Sequence, residues 1–85
     1  MLVQNEKQRM CVDETNVFIA IAASIEGAEV NDVDSLMTDT GMEEYRVIRG
    51  ISLLEAKGLV MWCAIGVPGN MRRYYRLTEE GRTLL

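Results

Sequence analysis

At Gly58 the hydrophobic pattern of this chain changes period, and that change limits the fold more than any other feature. Before it, Met42, Val47, Ile51 and Leu54 recur at helical spacing. A helix is therefore predicted over 42–57, with Gly58 ending it. After it, "LVMWCAI" at 59–65 and "MRRYYRL" at 71–77 are rich in strand formers. Pro68-Gly69, within the intervening "GVPGN", suit the central pair of a type II turn, so the two runs are predicted to make a β-hairpin.

Upstream of this junction the pattern is helical. Asp13 is a suitable N-cap with Glu14 in the first turn, and the apolar run that follows predicts a first helix stopping at Gly27. Val17, Phe18, Ile21, Ala22 and Ile25 share one face of it, while Ile19, Ala20 and Ala23 extend the apolar surface around the cylinder. Two readings follow: a helix at the centre of the core, or one whose second side, through Phe18, Ile19 and Ala23, meets another copy of the chain. Residues 28–30 suit a short strand. Asn31 with Asp34 predicts a capped second helix from Asp32 to about Met37, and "TDTG" a tight turn. Thr78 can cap a last short helix that runs to Leu84 and Leu85.

Length and composition exclude several classes. A chain of 85 residues, 48% hydrophobic and 26% charged, makes one small domain, expected at 13–85 behind an N-terminal arm at 1–12 that could join a contact between copies. The opening residues lack the apolar stretch of a secretory signal, so a cytoplasmic protein without a membrane span is expected. Histidine is absent and the two cysteines, Cys11 and Cys63, form no CxxC pair. The commonest general base, the usual metal ligand and any Ser-His or Cys-His nucleophile are thus missing, and no enzyme, metal or cofactor is expected.

Charge is divided along the chain. Residues 1–45 hold ten acids against two cations, and residues 46–85 seven cations against three acids, in a protein of net charge -4. Four arginines, Arg72, Arg73, Arg76 and Arg82, fall near the end, beside Tyr74 and Tyr75. A local basic face binds phosphates whatever the net charge, because fields at physiological salt fade within about 8 Å.

"TGMEEYRVIRGISLLEAKGLV" at 40–60, followed by "RRYYRLTEEGRTLL", resembles the winged helix-turn-helix regulators of the MarR and PadR type. The resemblance rests on a Leu-Glu-x-x-Gly-Leu-Val phrase at Leu54, Glu55, Gly58, Leu59 and Val60, and on a Tyr-x-Leu-Thr-x-x-Gly phrase at Tyr75, Leu77, Thr78 and Gly81. It implies an α+β, mainly helical fold: a three-helix core, a β-hairpin wing over 59–77 and a short C-terminal helix. It also implies a homodimeric transcriptional regulator that reads double-stranded DNA, with the recognition helix 42–57 in the major groove and the wing on the backbone or minor groove.

Carried over by position, the groove-facing residues would be Tyr45, Arg46 and Arg49, with Glu43 and Glu44 at the leading end of the helix. Strand alternation would turn Arg72, Tyr74 and Arg76 away from a core that holds Tyr75 and Leu77, with Arg73 near the wing tip. Glu43 and Glu44 depart from a DNA-reading pattern, and acids in a first turn also suit the helix dipole alone. The alternative is a winged helix that docks a basic protein partner through its acidic face. Trp62 is expected to pack under the wing.

Overall fold

The computed structural model describes residues 9–24 and 31–85. Within them α1 (Val12–Ala23), α2 (Val33–Thr40) and α3 (Glu44–Ala56) precede an antiparallel hairpin of β1 (Val60–Val67) and β2 (Asn70–Leu77), and α4 (Glu79–Arg82) closes the order. This is the architecture that the sequence predicts. The strand suggested at 28–30, the helix stop at Gly27, Ile25, and residues 1–8 of the expected arm lie outside the described residues. Met10 packs against the core and Val12 already belongs to α1.

The core gathers one face of each element. Val17, Phe18 and Ile21 come from α1, Leu36 from α2, Met42 from the turn, Val47, Ile51 and Leu54 from α3, and Leu59, Val60, Tyr75 and Leu77 from the hairpin. Burying aliphatic side chains of this size contributes roughly 1.5–3 kcal/mol each, which is what holds a two-stranded hairpin that would not persist alone.

Several boundaries differ from the expectation. Asp13 is not the N-cap of α1. Cys11 stands there, with its backbone N–H donated to Glu14 Oε1 at 3.1 Å, and Asp13 sits buried inside the first turn. The helix ends at Ala23, where Ser24 turns extended. At α2 the cap is Asp32, one residue after Asn31, and its Oδ1 accepts from the Ser35 N–H at 2.8 Å. Asn31 is buried for a different reason: its Oδ1 accepts the Ser24 hydroxyl at 2.8 Å and its carbonyl accepts the Tyr75 N–H at 2.9 Å. One side chain and one carbonyl thus tie the end of α1 to β2. The second helix also runs on to Thr40, three residues past Met37 and through most of the expected "TDTG" turn, because the left-handed stop comes only at Gly41, at φ 71. At the other end of the chain, α4 stops at Arg82.

The two phrases that carried the family resemblance form one locked joint. Gly58 takes φ 74; its N–H bonds to the Glu55 carbonyl at 3.0 Å and the Leu59 N–H to the Leu54 carbonyl at 3.0 Å, which is a Schellman stop for α3. Thr78 donates its N–H to the Leu59 carbonyl and its hydroxyl to the Gly58 carbonyl, then accepts from the Gly81 N–H as the cap of α4. Position 81 must be glycine, since a Cβ there would lie 2.2 Å from the Leu59 carbonyl oxygen.

A second close approach orders the helices. Gly50, in the middle of α3, lies where a Cβ would meet the Asp13 carbonyl oxygen at 2.8 Å and a methyl of Val17 at 2.9 Å. Alanine there gains about 1 kcal/mol of helix propensity, but must force two backbones apart, and overpacking of this kind costs about 1–3 kcal/mol. Gly50→Ala is expected to lower stability by up to about 2 kcal/mol, seen as a lower urea midpoint at unchanged slope. A midpoint at or above that of the parent would show that α1 and α3 do not touch at this point.

Candidate nucleic-acid interface

Of the cations expected to face DNA, the helix supplies fewer than its sequence offers. Arg46 turns inward to α1: its Nε and Nη2 donate to Asp13 Oδ1 at 2.9 and 2.7 Å. That carboxylate, from an otherwise buried residue, raises the Arg46 guanidinium above its ordinary value. Lys57, at the far end of α3, donates to Glu14 Oε2 at 2.5 Å and to the Arg9 carbonyl. Adjacent acids of α1 thereby engage two of the three cations between residues 44 and 57. What α3 leaves exposed is Glu44, Tyr45, Ile48, Arg49, Ser52 and Ala56, behind Glu43 at the cap. Arg49 makes no ion pair among the described residues.

On the hairpin, register assigns faces. Val60 pairs with Leu77, Trp62 with Tyr75 and Ala64 with Arg73; these side chains continue the core face outward. Beyond the core, the Arg73 guanidinium stacks 4.2 Å from the centroid of the Trp62 ring. Trp62 is therefore not packed under the hairpin as expected but 46% exposed, because the helices end before β1 has run half its length past them. The opposite face carries Arg72, Tyr74 and Arg76 on β2 beside Met61, Cys63, Ile65 and Val67 on β1. Tyr74 is half-buried, and its phenol is pushed up by the hydrogen bond to Cys63 and by partial burial. Arg72 is exposed and pairs with Asp32 at the start of α2. Arg76 has no ion pair among the described residues. From Leu59 to Thr78 the chain has three arginines and no acid.

The residues suggested for contact between copies separate. Phe18 is 7% exposed and belongs to the core, since it shares the inward side of α1 with Val17 and Ile21. Ile19 and Ala23, with Val12, form an exposed apolar stripe on the outer side. Sequence reasoning missed the roles of Asp13, Glu14, Lys57 and Gly50. The signal available was a glycine inside a well-patterned helix, which usually marks a close approach.

Comparison with known proteins bears on the fold. No family model matches the chain, and no curated protein matches it. Among solved structures it is similar to a "putative DNA-binding protein" of Ralstonia eutropha JMP134, at 20% identity and a TM-score of 0.68 over 89% of this chain and 93% of that one. It is also similar to a "possible transcriptional regulator" of Methanosarcina mazei Go1, at 16% identity and a TM-score of 0.69 over 88% of this chain and 62% of that one. The fold is a winged helix. Its wing is the β1–β2 hairpin, and α2 and α3 form its helix-turn-helix. Among the described residues no helix is long and apolar enough to cross a membrane, and no three potential metal ligands come together.

The α1–α3 pair has a pH signature. Burial pushes the Glu14 carboxyl up, but the hydrogen bonds from Lys57 and from Cys11 outweigh it and hold the group below its ordinary 4.5. A carboxylate lowered in the folded state adds stability that is complete above the ordinary value and disappears as pH falls from there through the lower folded value. Glu14→Gln is therefore expected to flatten the fall in urea stability below about pH 4.5 while lowering stability at pH 7. Parallel stability curves for parent and variant across that range would rule the pair out.

Proposed function

We propose that this protein is a DNA-binding transcriptional regulator of the MarR and PadR type that contacts double-stranded DNA chiefly through its wing. The observation that carries this reading is the charge of the wing: Arg72, Arg73 and Arg76 stand exposed on a hairpin without an acid, attached to a fold whose solved relatives include one described as DNA-binding. Arg76 is the primary phosphate contact on one face of the wing, with Tyr74 and Arg72 beside it, and Arg73, stacked on Trp62, is the contact on the other face. On α3, Arg49 and Tyr45 face the major groove, and Arg46 acts by holding the helix on Asp13. Two copies, meeting through the Ile19 and Ala23 stripe, would set two recognition helices about 34–36 Å apart on a pseudo-palindromic site. The protein works in the cytoplasm, and no catalytic step, cofactor or metal belongs to this function.

A second reading draws on the same accounting of charge. With Arg46 paired internally, the exposed start of α3 presents Glu43 and Glu44, a corner suited to a basic protein partner and unfavourable to a phosphate backbone.

Fluorescence anisotropy of a labelled mixed-sequence duplex across a salt series separates the two. Three or four phosphate contacts give a log-log salt slope of about -3 to -4. Arg73→Glu with Arg76→Glu is expected to abolish binding while lowering stability by no more than the lost Arg73–Trp62 stack, about 0.5–1 kcal/mol, and Arg49→Ala to weaken it. A double variant that binds as the parent does, or a parent that does not bind at low salt, would leave the acidic corner as the better reading.

A further inference from the structure

The wing has two edges, and the chain treats them differently. Tyr75 gives its N–H to the Asn31 carbonyl, on the side of β2 away from β1. In an antiparallel ladder this makes Trp62 and Tyr75 a non-hydrogen-bonded pair, and alternation extends the pattern to Val60–Leu77, Ala64–Arg73 and Gly66–Met71. The N–H and C=O groups of Val60, Trp62, Ala64 and Gly66 therefore point to the outer edge of β1. Among the described residues the sheet has two strands only, and no third strand covers that edge.

Proteins protect such edges with charge, proline or covering segments. The outer side of β2 has Asn31 and three arginines. By contrast, from Gly58 to Met71 the chain carries no charged side chain, and Met61, Trp62, Ile65 and Val67 are all exposed. We infer that the open edge of β1 is a pairing surface for the β1 edge of a second copy of this chain, joining two wings into a four-stranded antiparallel sheet.

Charge selects a second copy as the occupant. A protein of net charge -4 repels itself over its acidic helices, where Asp34, Asp39, Glu43 and Glu44 are exposed. At the β1 edge no like-charged pair arises in any register, and the two β2 strands stay about 14 Å apart, three strand spacings, beyond the screening length of about 8 Å. A two-fold axis beside Cys63 uses all four outward residues. It sets Trp62 against Ala64 of the second copy and Val60 against Gly66 of the second copy, large side chains against small ones. The two Cys63 residues then face each other as a non-hydrogen-bonded pair, with Cα atoms about 4.5 Å apart, inside the range of roughly 4.4–6.8 Å that a disulfide spans. The edge is open whatever the arginines on β2 meet, so this contact does not depend on DNA.

Amide hydrogen exchange on the unmodified protein without DNA tests it directly. The Trp62 and Ala64 amides should exchange quickly at about 10 µM and be protected about tenfold or more at about 1 mM, following the dimer population. Cys63 and Ile65, bonded to β2, should be protected at both concentrations. Ala64→Pro removes an outward donor at a position whose N–H does not bond to β2, and is expected to abolish the concentration dependence at Trp62 and to lower the sedimenting mass to that of the assembly held by the Ile19 and Ala23 stripe alone. In a Cys11→Ser background, diamide should join two chains through Cys63, each thiol giving up one proton and one electron to the diamide N=N bond, which becomes a hydrazine. Concentration-independent exchange at Trp62 and Ala64 would overturn the inference, as would concentration-dependent protection at Trp62 that survives Ala64→Pro.

Discussion

The first turn of α1, pressed onto the middle of α3, is the contact on which the rest of this molecule depends. Gly50 lets the two backbones meet, and the adjacent acids Asp13 and Glu14 then reach opposite ways along α3, to Arg46 and Lys57. Partly buried ion pairs are weak evidence for net stability, since desolvation offsets much of their attraction. Their effect is on geometry. A slide of α1 by one turn would leave two buried carboxylates without partners and drive backbone into backbone, so α3 is held in one pose, with Tyr45, Ile48 and Arg49 outward.

The pose of α3 passes to the wing through a short rigid path. The Schellman stop at Gly58 sets the direction in which the chain leaves the helix, and Thr78 fastens the returning strand to the carbonyls of Gly58 and Leu59. The start of β1 and the end of β2 are thus joined to the end of α3 within a few residues, and Tyr75 and Leu77 seal the joint from below. Beyond Tyr75 nothing but the hairpin's own ladder and the Arg73–Trp62 stack supports the wing, which is why its outer half is exposed on both faces.

Most of this framework could be read from local signals. Gly58, Pro68-Gly69, the spacing of Met42, Val47, Ile51 and Leu54, and the Thr78 cap each act within a few residues, and each appears where the sequence places it. What stayed hidden depends on contacts between distant residues. An acid in a first helical turn is favoured by the helix dipole whether or not a tertiary partner exists, so Asp13 and Glu14 gave no sign of Arg46 and Lys57. Asn31 and Asp32 are both good caps, and only the bonds from Ser24 and Tyr75 decide which is used. Trp62 alternates onto the core face as expected, yet its burial depended on how far the helices extend along the wing, a length that periodicity does not carry. The phase of α1 put Phe18 inside and Ile19 outside, a distinction blurred by apolar residues around most of the helix.

The internal pairing also changes what the charge division along the sequence means. Half of the net positive charge of residues 46–85 is used up where the acidic front and the basic back meet, as Asp13 and Glu14 cancel Arg46 and Lys57. Little free positive charge then remains on α3, and the arginines of β2 become the main exposed basic feature attached to it. Arg72 and Arg76 share a sheet face with an uncharged column on β1, and Arg73 shares the other with Trp62 and Ala64, so one hairpin holds two chemically different strands side by side: a charged strand whose backbone edge meets Asn31, and an apolar strand whose backbone edge is open. A charged strand with an occupied edge is suited to contacts made by side chains, and an uncharged strand with an open edge to contacts made by the main chain. The two do not compete, because successive side chains leave a sheet perpendicular to its plane while strand pairing proceeds within it.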